Sequence, residues 1–166
     1  MNSLFLAIVT IASSLFIFSP QPIATTYQDA IGGDPSNASW NQSAINWLLD
    51  AQSPNGGWGS GAHAYQNVTD PHAVQTDPAT TSFAAMALLR AGGKLADNPY
   101  KTQIMKALDR LLKDIDNRPD NGRITSMEGT QPQVKLGIHI DASLALQFLS
   151  QMRDQIKDDA IKTKCR

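Results

Sequence analysis

Histidines and a subset of aspartates are the side chains of this sequence best suited to chemistry, and they recur at matched places. His63 and His72 precede the apolar run Phe83–Leu89, and His139 stands at the head of a second apolar run, Ile138–Met152. Asp70, Asp77 and Asp141 accompany them. An imidazole titrates near neutrality and ligates metals, whereas a carboxylate serves as base, as acid when its pKa is raised, or as a helix cap. If the two apolar runs are adjacent parallel helices, their N-terminal ends gather these groups at one mouth, where the positive helix ends favour an anionic group. His72, Asp77, His139 and Asp141 are the candidates for acid/base catalysis. His63, Asp70, His72 and His139 are the candidates for binding. No His-Glu-x-x-His spacing is present, and neither a metal nor another cofactor is expected. The plainer reading makes Asp77 the N-cap of a helix opened by Pro78, Asp141 a second cap or a partner of His139, and His63 and His72 ordinary loop residues.

The elements that must hold these groups are helical. A first helix is predicted from near Ser39, where Ser39-x-x-Gln42 has capping-box spacing, to about Gln52, with Ile45, Leu48 and Leu49 on one face. Phe83–Leu89 is apolar on every side, which predicts a helix with neighbours all round. Asn98-Pro99 predicts the start of a third helix by the same cap-plus-proline device as Asp77-Pro78. There Tyr100, Ile104, Leu108, Leu111, Leu112 and Ile115 form a stripe, with Lys101, Lys106, Asp109, Arg110, Lys113 and Asp114 away from it. A fourth helix over about Ile138–Met152 is again apolar nearly all round. The mixed-charge run Lys157–Lys164 predicts one more, solvated helix. Amphipathic and apolar helices alternate with a repeat of about 60 residues. An amphipathic helix belongs in an outer layer and an all-apolar helix in an inner one, so a curved two-layered array follows.

The corner after the first helix, Gln52-Ser53-Pro54-Asn55-Gly56-Gly57-Trp58-Gly59, is the strongest architectural signal. Pro54 stops the helix, Asn55 tolerates the left-handed region, and Gly56 and Gly57 permit positive φ. The Gln52 amide is placed to bond orphan carbonyls at one helix end and backbone N–H groups of a neighbour, and Trp58 covers that network. A second copy, Pro119-Asp120-Asn121-Gly122, lacks the Gln and the Trp.

Bulk properties set outer limits. The chain has 166 residues, with 14 Lys and Arg against 15 Asp and Glu, so no nucleic-acid surface is expected. Leu4–Phe18 is an apolar run broken by Ser19-Pro20 and followed by Pro22-Ile23-Ala24, which predicts a signal peptide over 1–24 cleaved to leave Thr25. Residues 25–38 read as a flexible lead-in. A secreted or periplasmic location follows, with membrane attachment only through an uncleaved signal segment. The single cysteine, Cys165, excludes an internal disulfide.

These residues resemble the squalene-cyclase and protein-prenyltransferase superfamily of α/α toroids. Its repeat, the QW motif, is an outer helix followed by Gln, a few residues and Gly-x-Trp, here Trp47 through Gln52 to Gly56-Gly57-Trp58. Asp77-Pro78-Ala79-Thr80-Thr81 and the Ala/Leu run after it look like an inner helix of that superfamily. The resemblance covers about Ser39 to Met152 and implies a partial α/α toroid over 39–166. It also implies chemistries that this sequence lacks the residues for. Of the Asp-x-Asp-Asp-Thr-like run of class II terpene cyclases only Asp77 and Thr81 remain. The Asp, Cys and His zinc set of prenyltransferases is unmatched, because Cys165 lies on a polar tail, and the Gly-Cys-Gly-Glu-Gln thioester run is absent.

The expectation is therefore an all-α chain, a partial α/α toroid of alternating outer amphipathic and inner apolar helices, with Gln52, Gly56, Gly57 and Trp58 as its structural motif. Its function reads as an exported binding or scaffolding module, the alternative being an enzyme fragment acting on an isoprenoid or an acidic polysaccharide. For a glycan Arg123 and Lys135 are the available cations, and for an isoprenoid Phe83 and Phe148 are the aromatic residues on inner helices. The chain holds fewer helix pairs than a closed ring, so the expected partner is a further copy of the chain or missing C-terminal repeats.

Overall fold

The computed structural model describes residues 35–65 and 67–165. The expected signal segment and the lead-in as far as residue 34 lie outside the described residues. Six α-helices are present among the described residues: α1 Pro35–Asp50, α2 Pro78–Gly92, α3 Lys101–Asp116, α4 Gln131–Leu136, α5 Ile140–Arg153 and α6 Asp159–Lys164, with a 3-10 turn at Pro71–Ala73. The only extended pairing among these residues is an isolated antiparallel bridge between Ala62 and Thr130.

Helix α1 begins earlier than Ser39, so Pro35 to Ala38, expected in the lead-in, are helical and Ser39-x-x-Gln42 falls inside the helix. Proline suits a first turn because its missing N–H is one that a helix start leaves unpaired anyway. Helix α2 starts as expected: Asp77 is its N-cap, accepting from the Thr80 N–H, and Pro78 follows. Helix α3 does not start at Asn98-Pro99 but at Lys101, without a side-chain cap. Asn98 has another task. Buried, it donates to the carbonyls of Leu88, Leu89 and Gly93 at the end of α2 and accepts from the Tyr100 N–H at 2.8 Å, so one amide closes one helix and turns the chain toward the next.

Helix α2 is the hub, packing against α5 and α3. The α2 and α5 axes run parallel, because the two ends are tied like to like: the Ala79 N–H donates to Asp141 Oδ1 near the N-termini (3.2 Å), and the Leu95 N–H donates to Gln155 Oε1 beyond the C-termini (2.7 Å). Ile104, Ala107, Leu108, Leu111 and Leu112 of α3 are buried at helical spacing, so this amphipathic helix lies outside the inner pair as its pattern demands. They share one core with Ala85, Leu88 and Leu89 of α2 and Phe148, Leu149 and Met152 of α5. Cys165 joins that core and is 5% exposed, correcting its expected place on a polar tail. Helix α6 forms where mixed charge predicted it, capped by Asp158.

The inner helices are less enclosed than their apolar faces predict. Phe83 on α2 is 66% exposed and Leu146 on α5 is 65% exposed. Side chains radiate all round a helix, and packed neighbours on two sides leave a third side uncovered.

The corner Gln52–Trp58 ties three helices together. Trp58 is buried, and its ring Nε1–H donates to the Leu48 carbonyl of α1 at 2.8 Å. Its peptide group pairs reciprocally with α2: the Thr81 hydroxyl accepts from the Trp58 N–H (3.0 Å) and donates to the Trp58 carbonyl (3.1 Å). Gln52 Nε2 donates to the Gly56 carbonyl (2.8 Å) and to the Gln103 carbonyl of α3 (3.0 Å), so its reach into the neighbour ends on a carbonyl and not on the expected N–H. Gly56 has φ +89°, but Gly57 does not have positive φ. Gly57 is needed for room, since a Cβ there would lie 2.9 Å from Thr81 Oγ1. Nor is Asn55 left-handed; its side chain accepts from the Gly57 N–H and donates to Thr76.

Two glycines separate these effects. Gly56 and Gly93 both have positive φ, but a Cβ on Gly56 would meet the Lys106 carbonyl oxygen at 2.4 Å whereas one on Gly93 meets nothing within 4 Å. Gly93→Ala is expected to cost about 1–3 kcal/mol from backbone strain alone, and Gly56→Ala clearly more. Urea unfolding of the two variants checks this, and equal losses would remove the close approach of the corner to α3 from the account.

Candidate functional site

Asp77 and Asp141, both expected at a common mouth, do meet there, each engaged in hydrogen bonds at a helix N-terminus. Asp77 is buried and its carboxylate is occupied by four donors: the Thr80 N–H on Oδ1 (2.7 Å), and on Oδ2 the Thr80 hydroxyl (2.9 Å), the Ser60 N–H (3.1 Å) and the Ser60 hydroxyl (3.3 Å). Burial pushes its pKa above the ordinary 3.8, opposed by the bonds from Thr80 and Ser60, and the charge of nearby Asp141 adds to the rise. Asp141, also buried, accepts from the Ala79 N–H and, at 2.7 Å, from Gln133 Nε2. Of the two readings, second cap or partner of His139, its bond fits the first, although the turn it caps belongs to the neighbouring helix α2. Beside them Asp114 is held by Arg110 through both carboxylate oxygens, at 3.0 and 3.1 Å, and Arg110 reaches on to Thr76. Burial raises the Asp114 pKa against the pull of Arg110.

His63 is half-buried, with Nδ1 3.0 Å from Gln131 Oε1 and its N–H donating to the Gly129 carbonyl. His72 is exposed on the 3-10 turn that Asp70 caps, Asp70 itself being exposed. His139 is exposed, its carbonyl accepting from Ser143. Among the described residues no group of three or more His, Cys, Asp or Glu is placed to hold a metal ion.

Sequence reasoning missed two parts of this region. Helix α4 was not anticipated, although Thr130-x-x-Gln133 forms a full capping box and Pro132 stands in the first turn, a signal that was legible. Gln133 is the second: buried, it links Asp141 to the Met127 carbonyl. Arg123 is buried, unlike a cation awaiting an acidic glycan. Its guanidinium bonds Glu128 and the Met127 carbonyl. Lys135 is exposed on α4.

The concave surface lies elsewhere. A groove of about 360 Å³ runs between α1, α2 and α5, lined by Ala44, Ile45 and Leu48, by Phe83, Met86 and Ala87, and by Leu144, with Asn41, Arg90, Gln147 and Gln151 as its polar groups. Phe83 supplies its aromatic ring. Phe148, the other inner-helix aromatic residue, is wholly buried in the core.

The sequence model of the squalene-hopene cyclase C-terminal domain matches residues 22–117. The chain belongs to that family. The match spans α1, the corner, α2 and α3, and begins at Pro22, ahead of the described helices. No curated protein and no solved structure matches the chain. With family and coordinates together, the described residues form part of an α/α toroid in which α1 and α3 are outer helices and α2 and α5 inner ones. The N-termini of the two inner helices lie side by side, tied by the Ala79 N–H bond to Asp141.

The raised Asp77 pKa has a definite sign in stability. The folded chain binds this proton more tightly than the unfolded chain, so the contribution of Asp77 is greatest below the unfolded value of 3.8 and declines as pH rises through the folded value. Asp77→Asn keeps an acceptor for the Thr80 N–H and does not titrate. Urea unfolding across that window is expected to show wild-type stability falling relative to the variant as pH rises, then running parallel. A relative gain with pH would place the carboxylate in a charge-stabilising site instead.

Proposed function

We propose that the chain is a secreted or periplasmic, non-catalytic binding or scaffolding module of the squalene-hopene cyclase type, and that it holds an apolar ligand in the groove between α1, α2 and α5. Phe83 carries this reading. It is a large apolar side chain on the uncovered side of α2, it is 66% exposed, and it lines a groove whose walls are mostly apolar. Full burial of such a side chain is worth about 1.5–3 kcal/mol, which a ligand would recover. The volume lies within the range of small-molecule sites, and Arg90, Gln147 and Gln151 offer polar anchors at the edge.

The absence of catalysis in the proposal rests on where the two cyclase-like residues are spent. Asp77 offers no free oxygen to a substrate, because four donors occupy it. The Thr81 hydroxyl is taken by the Trp58 peptide group. Export rests on the Leu4–Phe18 run and the small residue Ala24.

Titration of the purified chain with the neutral apolar fluorophore N-phenylnaphthylamine is expected to give saturable enhancement, and Phe83→Asp to weaken it by at least about tenfold. The unfolding free energy from urea titration should stay within about 0.5 kcal/mol of wild type, because Phe83 contributes little to the core. Cyclised product from squalene with the purified chain would overturn the non-catalytic assignment. For export, the N-terminal residue of the released protein is expected to be Thr25; a cell-retained protein still starting at Met1 counts against it.

A further inference from the structure

A second cleft, of about 340 Å³, lies between the loop around Tyr65 and the segment Met127–Thr130. Its walls are tied together before anything binds. The His63 N–H donates to the Gly129 carbonyl at 2.8 Å and the Gln131 N–H to the Gly61 carbonyl at 3.1 Å, with the Ala62–Thr130 bridge between them. The far wall is braced from behind by Arg123, which stands in the second repeat where Trp58 stands in the first. Buried, it bonds Glu128 Oε1 at 2.9 Å and the Met127 carbonyl, and Gln133 bonds that same carbonyl at 3.0 Å. A site held this way loses little entropy when a ligand enters.

The lining has a particular chemistry. Tyr65 is 71% exposed, a large aromatic side chain that no core packing explains. Gln75 presents an exposed amide, and Glu128, although paired with buried Arg123, keeps 78% of its side chain exposed and so retains lone pairs toward the cleft. Val68, Val74 and Met127 supply apolar surface between these groups. An aromatic face with its negative quadrupole accepts C–H groups, while a carboxylate and an amide in the same lining accept from and donate to hydroxyls.

We infer that this cleft binds a neutral saccharide, with a pyranose ring stacked on Tyr65 and its hydroxyls bonded to Glu128 and Gln75. An acidic sugar would find no free cation among the lining residues, because Arg123 is buried and already paired with Glu128. A basic peptide fits less well: Glu128 already has its counter-charge in Arg123, and the facing backbone groups of 129–131 and 61–63 are already bonded to each other. This site is separate from the apolar groove and stands or falls without it.

The test is saturation-transfer NMR and calorimetry of the full chain with tetrasaccharides of β-1,4-glucose, β-1,3-glucose, β-1,4-xylose and β-1,4-mannose, with tetragalacturonate and a Gly-Lys repeat peptide as competitors in kind. Saturable binding of at least one neutral tetrasaccharide is expected. Tyr65→Ala should weaken it about tenfold or more without shifting the urea midpoint, and Tyr65→Phe should retain most of it. Glu128→Gln, which keeps an acceptor, should weaken it only severalfold. Saturable binding by none of the four neutral sugars overturns the inference, as does tighter binding of tetragalacturonate or of the peptide, or binding indifferent to Tyr65→Ala.

Discussion

The peptide group of Trp58 is the point on which the arrangement depends. It sits buried between helices, and a buried N–H or carbonyl without a partner costs about 1–3 kcal/mol. The Thr81 hydroxyl answers both ends of it, and the Asp77 N–H adds a further bond to the carbonyl. Once that pairing is made, the indole ring must lie against α1, where its N–H finds Leu48, and the turn before it must press on α3, where Gln52 finds Gln103. A small residue is obligatory where those backbones approach. The corner is thus the joint through which outer and inner helices acquire a common geometry.

The inner helices are joined by a different device, one built of charge and hydrogen bonds at their N-termini. Asp77 caps its own helix and Asp141 reaches across to cap its neighbour's first turn, so two carboxylates sit close together despite their repulsion. Helix N-termini present unpaired N–H groups with partial positive charge, and that is what makes the pair tolerable. In this member of the squalene-hopene cyclase C-terminal domain family, the four donors that stabilise the joint occupy both oxygens of Asp77.

Much of this was legible in the residues. The alternation of amphipathic and apolar runs, the Asp77-Pro78 cap and the Gly-Gly-Trp corner each state a local preference strong enough to survive folding, and the helices stand close to where those patterns put them. The boundaries that slipped did so because a nearby group took over the task. Asn98 reads as an N-cap, yet the unpaired carbonyls at the end of α2 claimed its amide. Ser39-x-x-Gln42 reads as a capping box, yet a proline upstream allowed the helix to start sooner. Helix α4 has a capping box in its sequence but no legible period, because it is only six residues long and periodicity has little to act on.

What the sequence by itself determined is the identity of the layers: hydrophobic spacing decides which face of a helix can meet water, and no neighbour is needed to compute it. Which titratable groups meet was decided only in three dimensions. His72 and His139 share a chain region with Asp77 and Asp141 yet remain on the surface, while Gln133, unremarkable in the linear order, and Arg123, which reads as an available cation, are drawn inside. Local patterns report the cost of exposing a side chain, whereas a site requires that distant backbone groups arrive together with their hydrogen bonds complete, and that condition is a property of the assembled packing alone.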